Sequence, residues 1–495
     1  MSLNPGIDSF REYFDKGLTQ LIWHWIPADL DTPVSAYLKL CHDQPYSFLL
    51  ESVEGGAVLG RYSAIGYDPD LIWKYKNQKD TDPLSALSQH LEDSKIDVID
   101  EAMPPMAASG LFGYLGYGMI THIEDIPDHN EDDLNIPDAV MIRPKIMLIF
   151  DNVKSMICVC MPIREHSKNS ERSAAELYDQ AKMHLKEVLK TLDAPLAKHL
   201  GDNGTQLNTP LQINQNTDKN QYMDSVKKAV EYIQAGDIFQ VVPSLRFSVS
   251  FDLPSFELYR ALRRINPSPF LFHLRLEEFS IVGSSPEILV RVRDSKVTIR
   301  PIAGTRKRGK NALQDQELAE DLLSDPKERA EHLMLLDLGR NDVGRVSEIG
   351  TVNVTQEFHI EYYSHVMHIV SNVEGELAKN KSPLDALFSG FPAGTVSGAP
   401  KIRAIEIIDE LEPVRRSFYG GCIGYLDGHG DVDTCIALRT ALVKDGKIYM
   451  QAGAGVVADS DPESEYNECC NKARAIIDAA ELAIESAHLK KQMAD

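Results

Sequence analysis

A chain of 495 residues, 43% hydrophobic and 25% charged, holds enough apolar material for about two to four ordinary domains or one large composite one, which excludes a disordered protein. The formal net charge of -23 argues against nucleic acid and anionic membrane surfaces as partners, because long-range repulsion would oppose them. An anionic substrate would need a cavity whose sign is reversed locally by Arg, Lys, a helix N-terminus or a metal ion.

The N-terminal MSLNPGIDSFREYFDKG lacks a basic region ahead of an apolar core, and no run of about 18 apolar residues occurs, so a cytoplasmic location is expected. Residues 20–75 alternate apolar runs with turns, and Gly55-Gly56 predicts a hairpin. A short helix over 82–93 precedes an aromatic stretch interrupted by Gly110, Gly113 and Gly116. KIMLIFDNVKSMICVCMPI reads as a strand pair turning at Asp151-Asn152. Helical periodicity over 169–192 closes an N-terminal region, 1–192, that carries no obvious catalytic spacing. The polar stretch 193–217 reads as the linker to a second region, 218–495. That region opens with a helix over 219–235 and the strand IFQVVPSLRFSVSF. Strands then follow over 270–276, 280–284, 288–300, 366–373, 421–427, 434–443 and 447–452, with helices over 256–264, 315–339, 383–389, 400–410 and 462–486. Turns of hairpin length at Asp427-Gly428 and Asp445-Gly446 favour antiparallel pairing, so the predicted class is α+β. The seven cysteines, an odd number, include Cys158/Cys160 and Cys469/Cys470, spaced too closely for an ordinary zinc site; they read as reduced core residues.

Two segments combine a helix start with a row of charge. In 451–474, QAGAGVVADSDPESEYNECCNKAR, Asp461 can cap and Pro462 suits the first helical position. Glu465, Glu468 and Lys472 then share one face. A surface ion pair between Glu468 and Lys472 is the alternative reading. In SDPKERAEHLMLLDLGRND, 324–342, Asp325-Pro326 repeats the design with Glu328 and Glu331 on one face, although Glu328 also fits a capping box. Four carboxylates brought together would raise one another's pKa unless a divalent cation lay between them, and oxygen-only ligands point to Mg²⁺. FPAGTVSGAPK, 391–401, lacks the GK[ST] ending of a nucleotide loop and leaves Thr395 on a glycine-bounded turn before a helix. RPIAGTRKRGKN, 300–311, is the densest basic patch, its tail expected to be a solvated loop after Gly304-Thr305. His365 and His368 should point to opposite faces of a strand.

Together these pieces resemble the chorismate-utilising enzymes, most closely the large subunits of anthranilate synthases. The matching motifs are LLES (49–52), GRYS (60–63), IFQVVPS (238–244), NPSPF (266–270), GSSPE (283–287), RPIAGTR, DPKERAEHLMLLDLGRND, FPAGTVSGAPK, YGGCIGY (419–425), DTCIALRT (433–440) and QAGAGVVADSDPESEYNECCNKA. The resemblance implies large, mostly antiparallel β-sheets flanked by helices, with a strand-rich N-terminal region packed alongside. It implies Mg²⁺ held by Glu331 and Glu468, with Glu328 and Glu465 acting through water. Chorismate would be bound by Thr305, Thr395, Tyr419, Arg439, Lys472 and the backbone of Gly453, Ala454 and Gly455. It implies attack of ammonia at ring C2 with loss of the C4 hydroxyl, then elimination of pyruvate, with Glu287 as general acid and His368 assisting the elimination. Enzymes of the family that add water carry a lysine where Gln240 stands, and the aminodeoxychorismate synthases, the alternative function, carry a nucleophilic lysine where Ala303 stands; both positions favour external ammonia. No Cys nucleophile with a His partner forms a glutaminase domain here, so ammonia is expected from a separate glutamine amidotransferase subunit. Feedback inhibition by L-tryptophan is implied at Leu50, Ser52, Pro269, Phe270, Leu271, Ile423 and Tyr425, where Phe270 and Leu271 depart from the commoner NPSPYMF.

Overall fold

Two long strands, Tyr62–Tyr75 and Ala139–Asp151, run antiparallel along their whole length and bind two β-sheets together, in a computed structural model that describes residues 3–54, 58–76, 82–107, 110–196, 211–363 and 366–492. One end of this ribbon continues through Tyr46–Glu51, Phe270–Leu276, Phe279–Ser285, Thr440–Lys444, Lys447–Gly453 and Ser244–Ser250. The other end continues through Leu111–Leu115, Cys422–Leu426, Val432–Ile436, Ile288–Arg293, Lys296–Ile299 and Val366–Glu376. All of these pairings are antiparallel. Strands from before residue 192 are therefore hydrogen-bonded directly to strands from beyond 218.

The period-two alternation of the strands sets the layering. Between the sheets lie Phe48, Phe112, Phe272, Ile281, Ile423 and Leu442, with the Phe48 and Phe112 rings stacked across the gap at 4.3 Å. The outer face of the first sheet, with Leu49, Leu271 and Val282, is covered by Ala174–Asp193, Ser255–Ile265 and the C-terminal helix Pro462–Gln492. The outer face of the second, with Leu289, Val292 and Ile299, packs against Pro326–Gly344 and Pro383–Ser389. The result is four layers, helix, sheet, sheet, helix, which bears out the α+β expectation.

Several boundaries differ from the expected ones. The helix predicted over 315–339 is two, Ala312–Ser324 and Pro326–Gly344. Pro326 has no N–H to continue the ladder, and Asp325 both ends the first helix and caps the second through the Lys327 and Glu328 amides. The strand predicted over 288–300 is a hairpin turning at Asp294 and Ser295, both with positive φ. The strand predicted over 434–443 is likewise two. Asp445-Gly446 forms the expected two-residue turn between Lys444 and Lys447, whereas a longer loop separates Leu426 from Val432. The helices Ile7–Lys16 and Pro33–Cys41 and the strand Asn353–Tyr362 have no counterpart among the expected elements. The Gly55-Gly56 turn lies outside the described residues, although its flanks pair as Val53 with Leu59 and Glu54 with Val58. Residues 197–210 of the expected linker also lie outside them. All seven cysteines are free, six of them buried. No helix among the described residues is long and apolar enough to cross a membrane.

Candidate active site

The two acidic helices start as their sequences dictate. Asp461 accepts from the Ser464 amide at 2.9 Å ahead of Pro462, as Asp325 does for the helix of Glu328 and Glu331. Their carboxylates share one electrostatic neighbourhood. Burial, then Glu328 and Glu468, raise the pKa of Glu331; burial, then Glu468 and Glu331, raise that of Glu465. Gly455 is what allows Gln240 to reach this point, since a Cβ there would sit 2.4 Å from its Nε2. Gln240 Nε2 in turn donates to Glu331 Oε1 at 3.3 Å, while its buried Oε1 has no partner among the described residues.

Both alternative readings of these carboxylates are resolved by their contacts. Glu468 does pair with Lys472, at 2.7 Å. The Glu328 side chain forms no capping box and instead accepts from Arg306 Nη1 at 2.8 Å. Turned toward these cations, no three carboxylate, imidazole or thiol groups among the described residues converge into a ready metal shell. The donor set still suits a hard divalent cation: it is oxygen-only, drawn from two helices, and destabilised by its own like charges.

Beside the acidic helices lies an acid–base pair. Glu287, 6% exposed, accepts from Thr395 Oγ1 at 3.1 Å and from the Ile302 N–H. Burial outweighs these bonds and the attraction of Arg439 and Lys472, pushing its pKa up to about 8, so the carboxyl is protonated at neutral pH. His368, 7% exposed, has Nδ1 2.9 Å from the Gly304 carbonyl and 3.1 Å from Thr305 Oγ1. A carbonyl can only accept, so Nδ1 carries the proton and Nε2 is left as the acceptor. Burial, with Arg439 and Lys472 adding to it, lowers the pKa of this imidazole to about 4 and keeps it neutral. His365 lies outside the described residues.

The groups expected to bind the substrate carboxylates lie close to the same place. The Arg439 guanidinium, on a residue with φ 48°, forms no hydrogen bond or ion pair among the described residues, and its field reaches both Glu287 and His368. Lys472 Nζ donates to the Gly453 carbonyl at 2.9 Å. The Tyr419 phenol is bonded to the backbone of Gly453, two residues before Gly455. Thr305, Thr395, Tyr419, Arg439, Lys472 and the Gly453–Gly455 backbone thus surround one site that also holds Glu287, His368, Gln240 and the acidic helices. The basic patch divides: Ile302–Lys307 is a strand, on which Arg306 pairs with Asp321, Asp325 and Glu328. Residues 308–311 beyond it form the exposed loop expected of the tail, with Arg308 paired to Asp315.

Leu50, Ser52, Pro269, Phe270, Leu271, Ile423 and Tyr425 all line one cavity of about 810 Å³ between strands of both regions. Ile302 and Tyr363 belong to its wall as well. Tyr363 packs edge-on against His368 with centroids 5.3 Å apart, and Ile302 supplies the N–H bound by Glu287, so cavity and acid–base pair share a partition. Sequence reasoning passed over both residues. Tyr363 had a signal, an aromatic close before His368 in strand-forming surroundings; the Ile302 amide had none.

The sequence profile described as "chorismate binding enzyme" matches residues 46–478. A protein of Cereibacter sphaeroides named "Anthranilate synthase component 1" is 51% identical, covering 96% of this chain and 97% of its own. One of the same name from Acetivibrio thermocellus is 45% identical, covering 92% and 94%. Among solved structures, anthranilate synthase component I of Streptococcus pneumoniae superposes with a TM-score of 0.75 at 37% identity, over 91% of this chain and 99% of that one. With site geometry and near full-length similarity in agreement, the chain belongs to the chorismate-binding enzymes, in their anthranilate synthase component 1 branch.

Proposed function

We propose that the protein is a lyase that converts chorismate and ammonia to anthranilate, pyruvate and water in tryptophan biosynthesis, with ammonia delivered by a separate glutamine amidotransferase subunit and feedback inhibition by L-tryptophan. The observation that carries the reading is the pairing of a carboxyl protonated at neutral pH, Glu287, with a neutral imidazole, His368, beside the unpartnered Arg439 guanidinium. Arg439 and Lys472, with Tyr419, Thr395 and the Gly453–Gly455 backbone, orient the substrate carboxylates in a site made positive inside an acidic protein. Glu287 gives its proton to the departing C4 hydroxyl as ammonia bonds to C2. His368, its Nε2 free, takes a ring proton as pyruvate leaves and the ring becomes aromatic. Thr305 fixes the ring nitrogen orientation of His368 from one side. Gln240, an amide, cannot deprotonate water, and Ala303 cannot act as an amine nucleophile, so external ammonia is the nucleophile that fits.

Glu331 and Glu468, with Glu328 and Glu465 through water, would hold a magnesium ion, which when bound supplies charge neutralisation for the ring carboxylate. The cavity lined by Leu50 and Tyr425 takes the inhibitor. Incubation with chorismate, Mg²⁺ and ammonium tests the reading: blue-fluorescent anthranilate with equimolar pyruvate is expected, and a non-aromatic amino product without pyruvate overturns it.

A further inference from the structure

Directly behind the site lies a buried ion pair that none of the chemistry above uses. Glu412 and Arg416 are 5% and 3% exposed, and Arg416 Nη2 and Nε meet the Glu412 carboxylate at 2.6 and 3.0 Å. Glu412 stands just past the Lys401–Leu411 helix, so this is no pair on a helix surface. Its outer bonds run to segments that carry site residues. Arg416 Nη1 donates to the carbonyl of Val396, next to Thr395, and Nη2 to that of Val242, two residues beyond Gln240, both at 2.6 Å. The guanidinium lies over the Tyr419 ring, 5.5 Å from its centroid. Glu412 Oε1 accepts from the Ser244 amide at 2.8 Å and its hydroxyl at 2.7 Å, and Ser244 is the cross-strand partner of Gly453.

We propose that the Glu412–Arg416 pair is a positioning device that fixes Thr395, Tyr419 and Gly453 relative to one another as the receptor for the substrate carboxylates; this rests on the chorismate reading of the site. A buried pair is a poor source of stability, since apolar residues of similar volume often replace one at no loss. What apolar residues do not replace are four hydrogen bonds to two separate segments, Val396 on one and Val242 and Ser244 on the other, together with the contact on the Tyr419 ring. His368 is held independently, by the Gly304 carbonyl, and Glu287 keeps the Ile302 N–H besides its bond from Thr395 Oγ1. Disturbing the pair therefore shifts substrate binding more than the proton transfers.

The experiment is steady-state kinetics on the full chain with chorismate, Mg²⁺ and ammonium, beside thermal denaturation, for R416K, S244A and the apolar double variant E412M/R416M. The expected result is a KM for chorismate raised about tenfold or more in R416K and in the double variant, and less in S244A, with kcat within about threefold of the parent. A double variant as heat-stable as the parent but still raised in KM separates positioning from mere stability. A KM at the parental value in the folded double variant, or in S244A should the others fail to fold, overturns the inference. Failure of the parent protein to turn over chorismate would instead overturn the proposed function.

Discussion

The charged site around Glu287 and Glu331 and the cavity around Leu50 and Tyr425 are formed by the same pair of sheets, yet they are held in opposite ways. In the charged site the working groups are pinned by polar bonds to backbone: Glu287 to the Ile302 N–H, His368 to the Gly304 carbonyl, Lys472 to the Gly453 carbonyl. In the cavity, positions are set by strand pairing between distant segments, Leu271 opposite Glu51 and Ile423 opposite Cys435, with Tyr425 packed on Phe112. Pre-organised polar groups serve charge that develops during a reaction, whereas packed walls serve the shape of a ligand. Substitutions should accordingly change chemistry in the first region and affinity in the second.

The sharpest attempt to break that contrast is Glu331→Gln, expected to lower turnover by about three orders of magnitude or more while leaving intact the thermal shift produced by L-tryptophan. Mg²⁺-dependent anthranilate formation near the parental rate would end the role given to the acidic helices. Glu287→Gln comes next, with a loss of about 10²- to 10⁴-fold in kcat. It also carries a pH signature. A group with pKa about 8 is protonated below that pH and acts as the acid there, so kcat/KM should fall as pH rises through about 8. The limb should vanish in the variant, and a rate that climbs through pH 8 would contradict the assignment. On the acid side His368 should limit the rate only near pH 4, where it takes up a proton.

Lys472→Met should act more mildly, raising the KM for chorismate about tenfold with a smaller change in kcat, because it orients rather than transfers protons. The smallest expected effect on catalysis is that of Ser52→Ala. Its kcat and KM should match the parent, while the concentration of L-tryptophan giving half inhibition rises about tenfold, the cost of one lost hydrogen bond in a pocket. An unchanged inhibition curve together with slower turnover would place Ser52 in the wrong region.

Much of the charged site was legible because its residues announce themselves locally. The Asp-Pro cap at 461–462 fixes where one acidic helix begins, and that at 325–326 marks the start of the other although the helical pattern alone runs through it from 315; side-chain period gives which glutamates share a face. Helices 219–235 and 383–389 were read with the same bounds that the structure has. The motifs of the family resemblance named Glu287, His368 and Arg439, which local pattern could not have singled out. The pairing of Arg306 is not legible in the sequence, because the density of basic residues says nothing about partners. Its three carboxylates come from two helices that fold back over the strand.

By itself, the sequence determined the local elements, the caps, the acidic faces and the membership of the family, since each of these depends on residues close together or on whole motifs. Only the tertiary structure decided that Gln240 meets Glu331, that a neutral acid and a neutral base sit together at neutral pH, and that Glu412 and Arg416 tie three site segments together. The physical reason is that burial and long-range pairing set pKa and hydrogen-bond geometry, and neither is encoded in any short stretch of chain.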